Sequence, residues 1–339
     1  MKRHMRDSYY VVGEGILTTD EDGRPTRERP STVASLRKFR FSRLGPENAQ
    51  TDPNSGPAEE ALHIALANAM TATPSPDSGG PGIPAGFTYL GQLVDHDLTM
   101  DNTAVSLGSE VTVDELLQGR SPALDLDSLY GKGPKDKSDA RFYEADGAHL
   151  RVGRTAAVPI DATTNQDRDG YDLPRVGQGS TKNARRAAVI PDARNDENLV
   201  VAQTHAAFIR FHNRVVDTLA SGGTPSSALF EQARQTVTRH YQWLLHTDFL
   251  PRIVDQSIVE DVFTNGRRFF EVPTGYTERT AGQIKPGDTP TMPIEFSIAA
   301  YRLGHSMVRD VYEWNVRHEA LMVRMGVRDR HHPAVVAVG

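Results

Sequence analysis

Four short strings carry residue types that could do chemistry. In Gly91-Gln92-Leu93-Val94-Asp95-His96-Asp97-Leu98-Thr99, Gln92 and His96 stand at i and i+4, so on a helix both side chains share one face. An imidazole beside a carboxamide suits a peroxide pocket. The histidine can take a proton from one oxygen of hydrogen peroxide and deliver it to the departing oxygen, while the amide holds peroxide or water in register. Asp95 and Asp97 fall on other faces and need other work. Taken alone, the string reads more readily as a zinc or calcium site, or simply as a polar helix end.

The second string, Ser121-Pro122-Ala123-Leu124-Asp125-Leu126-Asp127-Ser128, alternates oxygen-bearing and apolar residues. Ser121, the carbonyl of Ala123, Asp125 and Asp127, completed by Asp97, could converge on calcium, which wants six to eight oxygens. The alternation by itself favours a strand with its aspartates outward. The third string is Arg194-Asn195-Asp196-Glu197, ahead of a long helix. Asp196 and Glu197 suit the positive end of a helix dipole, but Arg194 does not. A guanidinium there could instead stabilise charge on a departing oxygen. The fourth, Arg302-Leu303-Gly304-His305, sets a histidine on an apolar helix face. It reads as a core histidine or, in a chain without cysteine, as the axial base of a haem iron. Arg302 could then reach a propionate. His205 and His212 also sit on an apolar stripe and read as core histidines with buried hydrogen-bond partners.

The elements that must position these strings are mostly helical. Residues 1–54 read as an irregular arm, followed by a short helix at Glu59–Met70 and a Pro/Gly/Ser loop at 73–86. Phe87–Asp97 reads as a helix. Residues 131–185 read as long loops with a strand pair around Leu150–Pro159. A long helix begins near Asn198, with Val201, Phe208, Val215 and Leu219 on its apolar stripe. The next runs Ser226–Phe249, with Phe230, Ala233, Val237, Leu244 and Leu245 inward, and Pro251 closes it. A last helix, Ile294–Trp314, would carry Ile298, Tyr301, His305, Val308 and Tyr312 on one face. The fold class is mainly α with long functional loops.

Composition narrows the function. The 339 residues carry a net charge of -6 and no cysteine. The charge gives no reason to expect nucleic acid or anionic membranes as partners, and no apolar run is long enough to span a bilayer. The basic start lacks the apolar core of a secretion signal. Without thiols there are no disulfides, iron–sulfur clusters or thiolate-ligated haem, which suits a catalyst that handles oxidants.

Taken in order, the four strings resemble those of the animal haem peroxidases of the peroxidase–cyclooxygenase superfamily. GQLVDHDLT is similar to the distal string, SPALDLDSLYG to the calcium loop, RNDENLVVAQTHAAFIRFHNRV to the catalytic-arginine segment and FSIAAYRLGHSMV to the proximal-histidine helix. FEQARQTVTRHYQWLLHTDFLPRIV matches a scaffold helix, so the resemblance covers 55–315 and leaves 316–339 as an atypical tail. It implies that His96 is the distal acid–base, Gln92 its partner, Arg194 the distal arginine, His305 the proximal iron ligand and Arg302 a propionate contact. It implies calcium on Asp97, Ser121, Ala123, Asp125 and Asp127, and haem b, with ester links to its methyls possible through Asp95 and Glu197. A sulfonium link is excluded because Asn198 replaces the required methionine. The implied activity is reduction of hydrogen peroxide with oxidation of a halide or small organic donor. The alternatives are a fatty-acid dioxygenase of the same superfamily, disfavoured because Arg302 stands where those enzymes have tyrosine, and an inactive calcium-binding or adhesion fragment. The resemblance further implies a bacterial-type member that stops short of the later helices, which supply an asparagine to the proximal histidine.

Overall fold

The computed structural model describes residues 8–11, 15–19, 25–28, 56–71, 82–100, 120, 124–159, 167–266, 292–308, 311–312 and 323–324, and helices dominate them. At the N-terminal end, β1 (Ser8–Val11), β2 (Gly15–Thr19) and β3 (Pro25–Glu28) form an antiparallel sheet in the order β1-β2-β3. This part of the expected irregular arm is therefore a meander. Its signal was the short β-rich runs separated by Gly13 and Gly23.

The helices follow as α1 (Gly56–Thr71), α2 (Ala85–Leu98), the one-turn α3 (Asp127–Tyr130) and α4 (Lys182–Arg186). Between the last two, β4 (Gly153–Pro159) pairs antiparallel with β5 (Asp167–Asp172), close to where the strand pair was expected. A 3-10 turn at Ala193–Asp196 leads into α5 (Leu199–Ser221) and α6 (Ser226–Leu244). After these come α7 (Leu250–Ile253), α8 (Gln256–Asn265), α9 (Ile294–Ile298), a 3-10 stretch at Ala300–Met307, and the short pair β6 (Val311–Tyr312) and β7 (Val323–Arg324).

Spacing explains the core. The buried face of α5 is Val201, His205, Ile209, His212 and Val216, each three or four residues from the last. On α6 it is Ala233, Val237 and Tyr241. The two helices pack together, with the Phe208 and Tyr241 rings edge to face at 5.7 Å. Each large apolar side chain buried this way contributes about 1.5–3 kcal/mol. Helix α2 lies against α5 and adds Leu93, Val94 and Leu98 to the buried surface. Gly91 lets α2 also approach Phe249, beyond the end of α6, since a Cβ at Gly91 would meet the Phe249 ring at 3.2 Å.

Two helix ends differ from expectation. Pro251 does not close α6, because the chain widens into a π turn at Leu245–Phe249 and continues as α7, with proline in its first turn. The Leu250 N–H bonds the Leu245 carbonyl, five residues back. Widening shifts the register just upstream of a residue that has no N–H to give, so helix and proline coexist. The expected helix over Ile294–Trp314 ends instead at Ile298 and tightens to 3-10 geometry. A helix of that length needs packing on its apolar stripe. Here Tyr301 packs on the core, but Ile298 is 63% exposed and Val308 is 40% exposed, so most of the stripe has no cover among the described residues.

Candidate active site

Helix α2 and the turn at Ala193–Asp196 face one another and bring most of the candidate residues together. His96 is buried, and its Nδ1 lies 2.8 Å from Asn195 Oδ1. Asn195 Nδ2 in turn lies 2.9 Å from His205 Nδ1 on α5. The Nε2 atom of His96 has no hydrogen-bond partner among the described residues. Burial, and then the Arg194 charge, pull the imidazole below its usual range, so it stands neutral near pH 7 with one nitrogen unused. That is the condition of a general base.

Gln92, one turn before His96, is held at both ends. Its Nε2 donates to Glu197 at 3.1 Å, and its Oε1 accepts from Asn198 Nδ2 at 2.9 Å. Asn198 also N-caps α5, accepting from the Val201 N–H. The cap and the clamp are one side chain.

Arg194 resolves the conflict its sequence position posed. It lies at the start of α5, but its guanidinium serves the other end of α2, donating to the carbonyls of His96 and Thr99 at 2.9 Å each. A cation is favourable at that negative end. Asp192 accepts from its Nε and Nη2, and also from buried Arg120 at 2.6 Å. Burial would raise the Asp192 carboxyl, yet the two arginines hold it well below the usual carboxylate range. Four of the five Arg194 donors are engaged, and one N–H on Nη1 remains.

The aspartate string is not a strand. Leu126 adopts a left-handed conformation (φ 61°) and opens the single turn of α3, and Asp125, Asp127 and Ser128 are all buried beside the core leucines. A non-glycine residue in that region costs roughly 1–2 kcal/mol. It is held there by a bond from its own N–H to Asp97 Oδ2 at 3.0 Å, joined by one from Ser128 N to Asp97 Oδ1 at 3.3 Å. Asp97 thus ties the helix bearing His96 directly to this string. Burial, and next the charge of Asp127, push Asp97 up to about 7. Asp127 Oδ2 and Ser128 Oγ are buried with no hydrogen-bond partner. Ser121 and Ala123 lie outside the described residues, among which no three His, Asp or Glu side chains are grouped as a metal site.

The fourth string docks on the opposite side of α2. Arg302 forms an ion pair with Asp95, whose other oxygen accepts from Thr99 Oγ1 at 3.0 Å. The Tyr301 hydroxyl donates to the Gly91 carbonyl at 3.1 Å. His305 is exposed on the 3-10 stretch, not on the α-helical face expected for it. His205 and His212 do have buried partners. His212 meets Tyr130 and the Ala148 carbonyl, and burial lowers both imidazoles to about 4.

These observations suit haem chemistry on both sides. The His96 imidazole keeps a free nitrogen. Arg302 already holds a carboxylate, as it would hold a propionate. The His305 imidazole makes no hydrogen bond among the described residues and is flanked by exposed Leu303 and Val308, an apolar surface that a porphyrin face would cover. Sequence reasoning missed Asp192, Asn195 and Asn198. The Asp-x-Arg-Asn run held a partial signal, because an aspartate at a turn start accepts backbone N–H groups two residues on. Nothing local marked Asn195 as the partner of two histidines.

The family model for animal haem peroxidase matches residues 99–325, a span that includes Arg194, Glu197, Arg302 and His305. The peroxidase-like protein of Margaritifera margaritifera is 30% identical over 262 residues, covering 67% of this chain and 32% of that protein. Thyroid peroxidase of Canis lupus familiaris is 25% identical over 227 residues, 66% of this chain and 21% of its own length. The peroxidase of Drosophila melanogaster is 25% identical over 189 residues, 55% of this chain and 25% of its length. The chain spans about a third or less of each of these relatives.

Proposed function

The chain belongs to the animal haem peroxidase family, and from that premise we propose that it reduces hydrogen peroxide and oxidises a halide or small organic donor. The observation that carries the proposal is His96, a buried neutral imidazole anchored through Nδ1 with Nε2 unused.

Haem b would supply the redox chemistry, with His305 to hold its iron, Arg302 a propionate, and Asp95 and Glu197 as the positions for ester links. His96 Nε2 accepts the proton of the incoming peroxide oxygen and returns it to the departing one. The Arg194 charge favours the neutral imidazole before that transfer and stabilises negative charge on the departing oxygen. Gln92 retains one Nε2 hydrogen, enough to hold peroxide or water beside His96.

Calcium would complete the aspartate string. Asp97 and Asp127 are buried carboxylates close enough to repel one another, Asp125 is buried in the same string, and the orphaned Asp127 and Ser128 oxygens are of the hard type calcium selects. Ser121 and the Ala123 carbonyl would finish the set. A cation there would relieve the repulsion that raises Asp97 and would stiffen α2 at the residue after His96. The Tyr301 hydroxyl, bonded to Gly91, offers no support for the dioxygenase reading.

The test is haem reconstitution of the full chain, followed by the Soret spectrum and a peroxidase assay. The native chain is expected to give a histidine-ligated haem spectrum and peroxide-dependent donor oxidation, and His305→Ala to lose both. An unchanged spectrum in that variant would remove His305 as the ligand.

A further inference from the structure

Three buried side chains from three elements make one hydrogen-bonded row: His96 on α2, Asn195 in the 3-10 turn and His205 on α5. Asn195 and His205 have no exposure at all, and His96 is 4% exposed. We propose that Asn195, oriented by His205, is a positioning residue that fixes His96 as the tautomer protonated on Nδ1.

The argument is a matter of counting donors and acceptors. A neutral imidazole has one N–H and one lone pair, and a carboxamide has an accepting oxygen and a donating nitrogen. Asn195 Oδ1 can bond His96 Nδ1 only if that nitrogen carries the proton. Asn195 Nδ2 can bond His205 Nδ1 only if that nitrogen is bare, which leaves the His205 proton on Nε2. Burial keeps His205 neutral, with its pKa lowered to about 4. The row therefore has two self-consistent states, related by turning the amide over. In the second, His96 carries its proton on Nε2 and has no lone pair to offer a substrate.

The orientation of the amide separates the two states. Asn195 turns Oδ1 toward His96 and Nδ2 toward His205, which is the first state. His205 Nε2, where that state puts the proton, is buried without a hydrogen-bond partner. The bare Nδ1 of His205 thus holds the Asn195 amide nitrogen, and the Asn195 oxygen decides which nitrogen of His96 is the base.

The catalytic meaning rests on the peroxidase reading, but the tautomer does not, and it can be measured without haem. In the haem-free full chain labelled with 15N-histidine, two-bond proton–nitrogen correlation spectra assign the protonated nitrogen of each ring. His96 is expected as Nδ1–H and His205 as Nε2–H. An Nε2–H assignment for His96 would overturn the proposal whether or not the protein is a peroxidase.

Asn195→Leu is expected to give His96 a mixture of both tautomers. In the reconstituted protein it should slow the reaction with peroxide ~10-fold or more, within the range for acid–base catalysis, and leave the KM for donor unchanged. Asn195→Asp retains an acceptor for Nδ1–H and should recover much of that rate. A variant series in which rates fall while His96 stays fully Nδ1–H would also sink the assignment. If the tautomers come out as stated and no variant, nor the native chain, turns over peroxide, the positioning role stands and the peroxidase reading fails.

Discussion

The two faces of α2 are built differently. On the side of the Ala193–Asp196 turn, the side chains have protein partners: His96 has Asn195, Arg194 has Asp192 and two carbonyls, Asn195 has His205, and Gln92 has Glu197 and Asn198. On the other side, the Ala300–Met307 stretch touches α2 through Tyr301 and Arg302, while His305 stays exposed among apolar neighbours. The acid–base half is organised by the chain itself. The half proposed to hold iron leaves His305 and its apolar neighbours exposed. A site of this kind can have its proton chemistry ready before it holds its cofactor.

The comparison is broken most directly at His96. In the reconstituted protein, His96→Ala should slow the reaction with peroxide by about 10²–10⁴-fold, the usual contribution of a positioned acid–base group. Haem binding, read from the Soret band, should change little. His305→Ala should do the reverse and lose the band. If both variants fail in the same way, the two faces are not separable and the asymmetry is wrong.

Next in size is Asp192→Ala. It leaves two arginines beside a site meant for a carboxylate, and Arg120 is only 6% exposed. Stranding a buried charge costs about 3–5 kcal/mol, so chemical denaturation should show a loss of that order and His96 should lose its fixed position. Replacing Arg302, which is half-exposed, should not approach this.

Helix placement was the most legible part of the sequence, because α2, α5 and α6 each bury a face at helical spacing. The last helix was not, since its stripe is periodic but packed only at Tyr301, and periodicity predicts a helix only where something buries the stripe. The aspartate string misled for a related reason. Leu124, Leu126 and Leu129 alternate with Asp125 and Asp127 as a strand would, but the left-handed Leu126 folds the run so that Leu126, Leu129 and both aspartates are buried and Leu124 is half-buried. Within the site, the residues that reach toward substrate could be picked from type and spacing. Those that hold them could not. Asn195, Asp192 and Asn198 act across α2, α5 and the turn between them, and no local pattern encodes a contact between residues about 100 positions apart.

The organised face should also show in the response of stability to acid. His205 and His212 have folded pKa values of about 4, below the 6.5 of a free imidazole. As pH falls through 6.5 the unfolded chain takes up these protons while the folded chain does not. Their contribution is complete above about pH 6.5 and is lost progressively toward pH 4. At 1.36 kcal/mol per pKa unit, each histidine accounts for about 3 kcal/mol over that window. His212→Leu should flatten the pH dependence of the unfolding free energy by roughly one such increment. An unaltered slope would mean that His212 titrates normally in the folded protein.

The smallest effect sharpens the contrast most. The Arg302–Asp95 pair is exposed on the arginine side, and such pairs contribute about 0–1 kcal/mol. Arg302→Ala should therefore leave the haem-free protein almost as stable as before, within 1 kcal/mol by denaturant titration. The same substitution removes the guanidinium proposed to hold a propionate. Haem affinity, from Soret titration, should then fall by about tenfold, equivalent to roughly 1.4 kcal/mol. A residue that matters little to the empty protein and more to the filled one is serving the cofactor. If Arg302→Ala instead unfolds the haem-free chain, the Ala300–Met307 stretch is as firmly built as the turn opposite, and His305 is exposed for some reason other than awaiting a porphyrin.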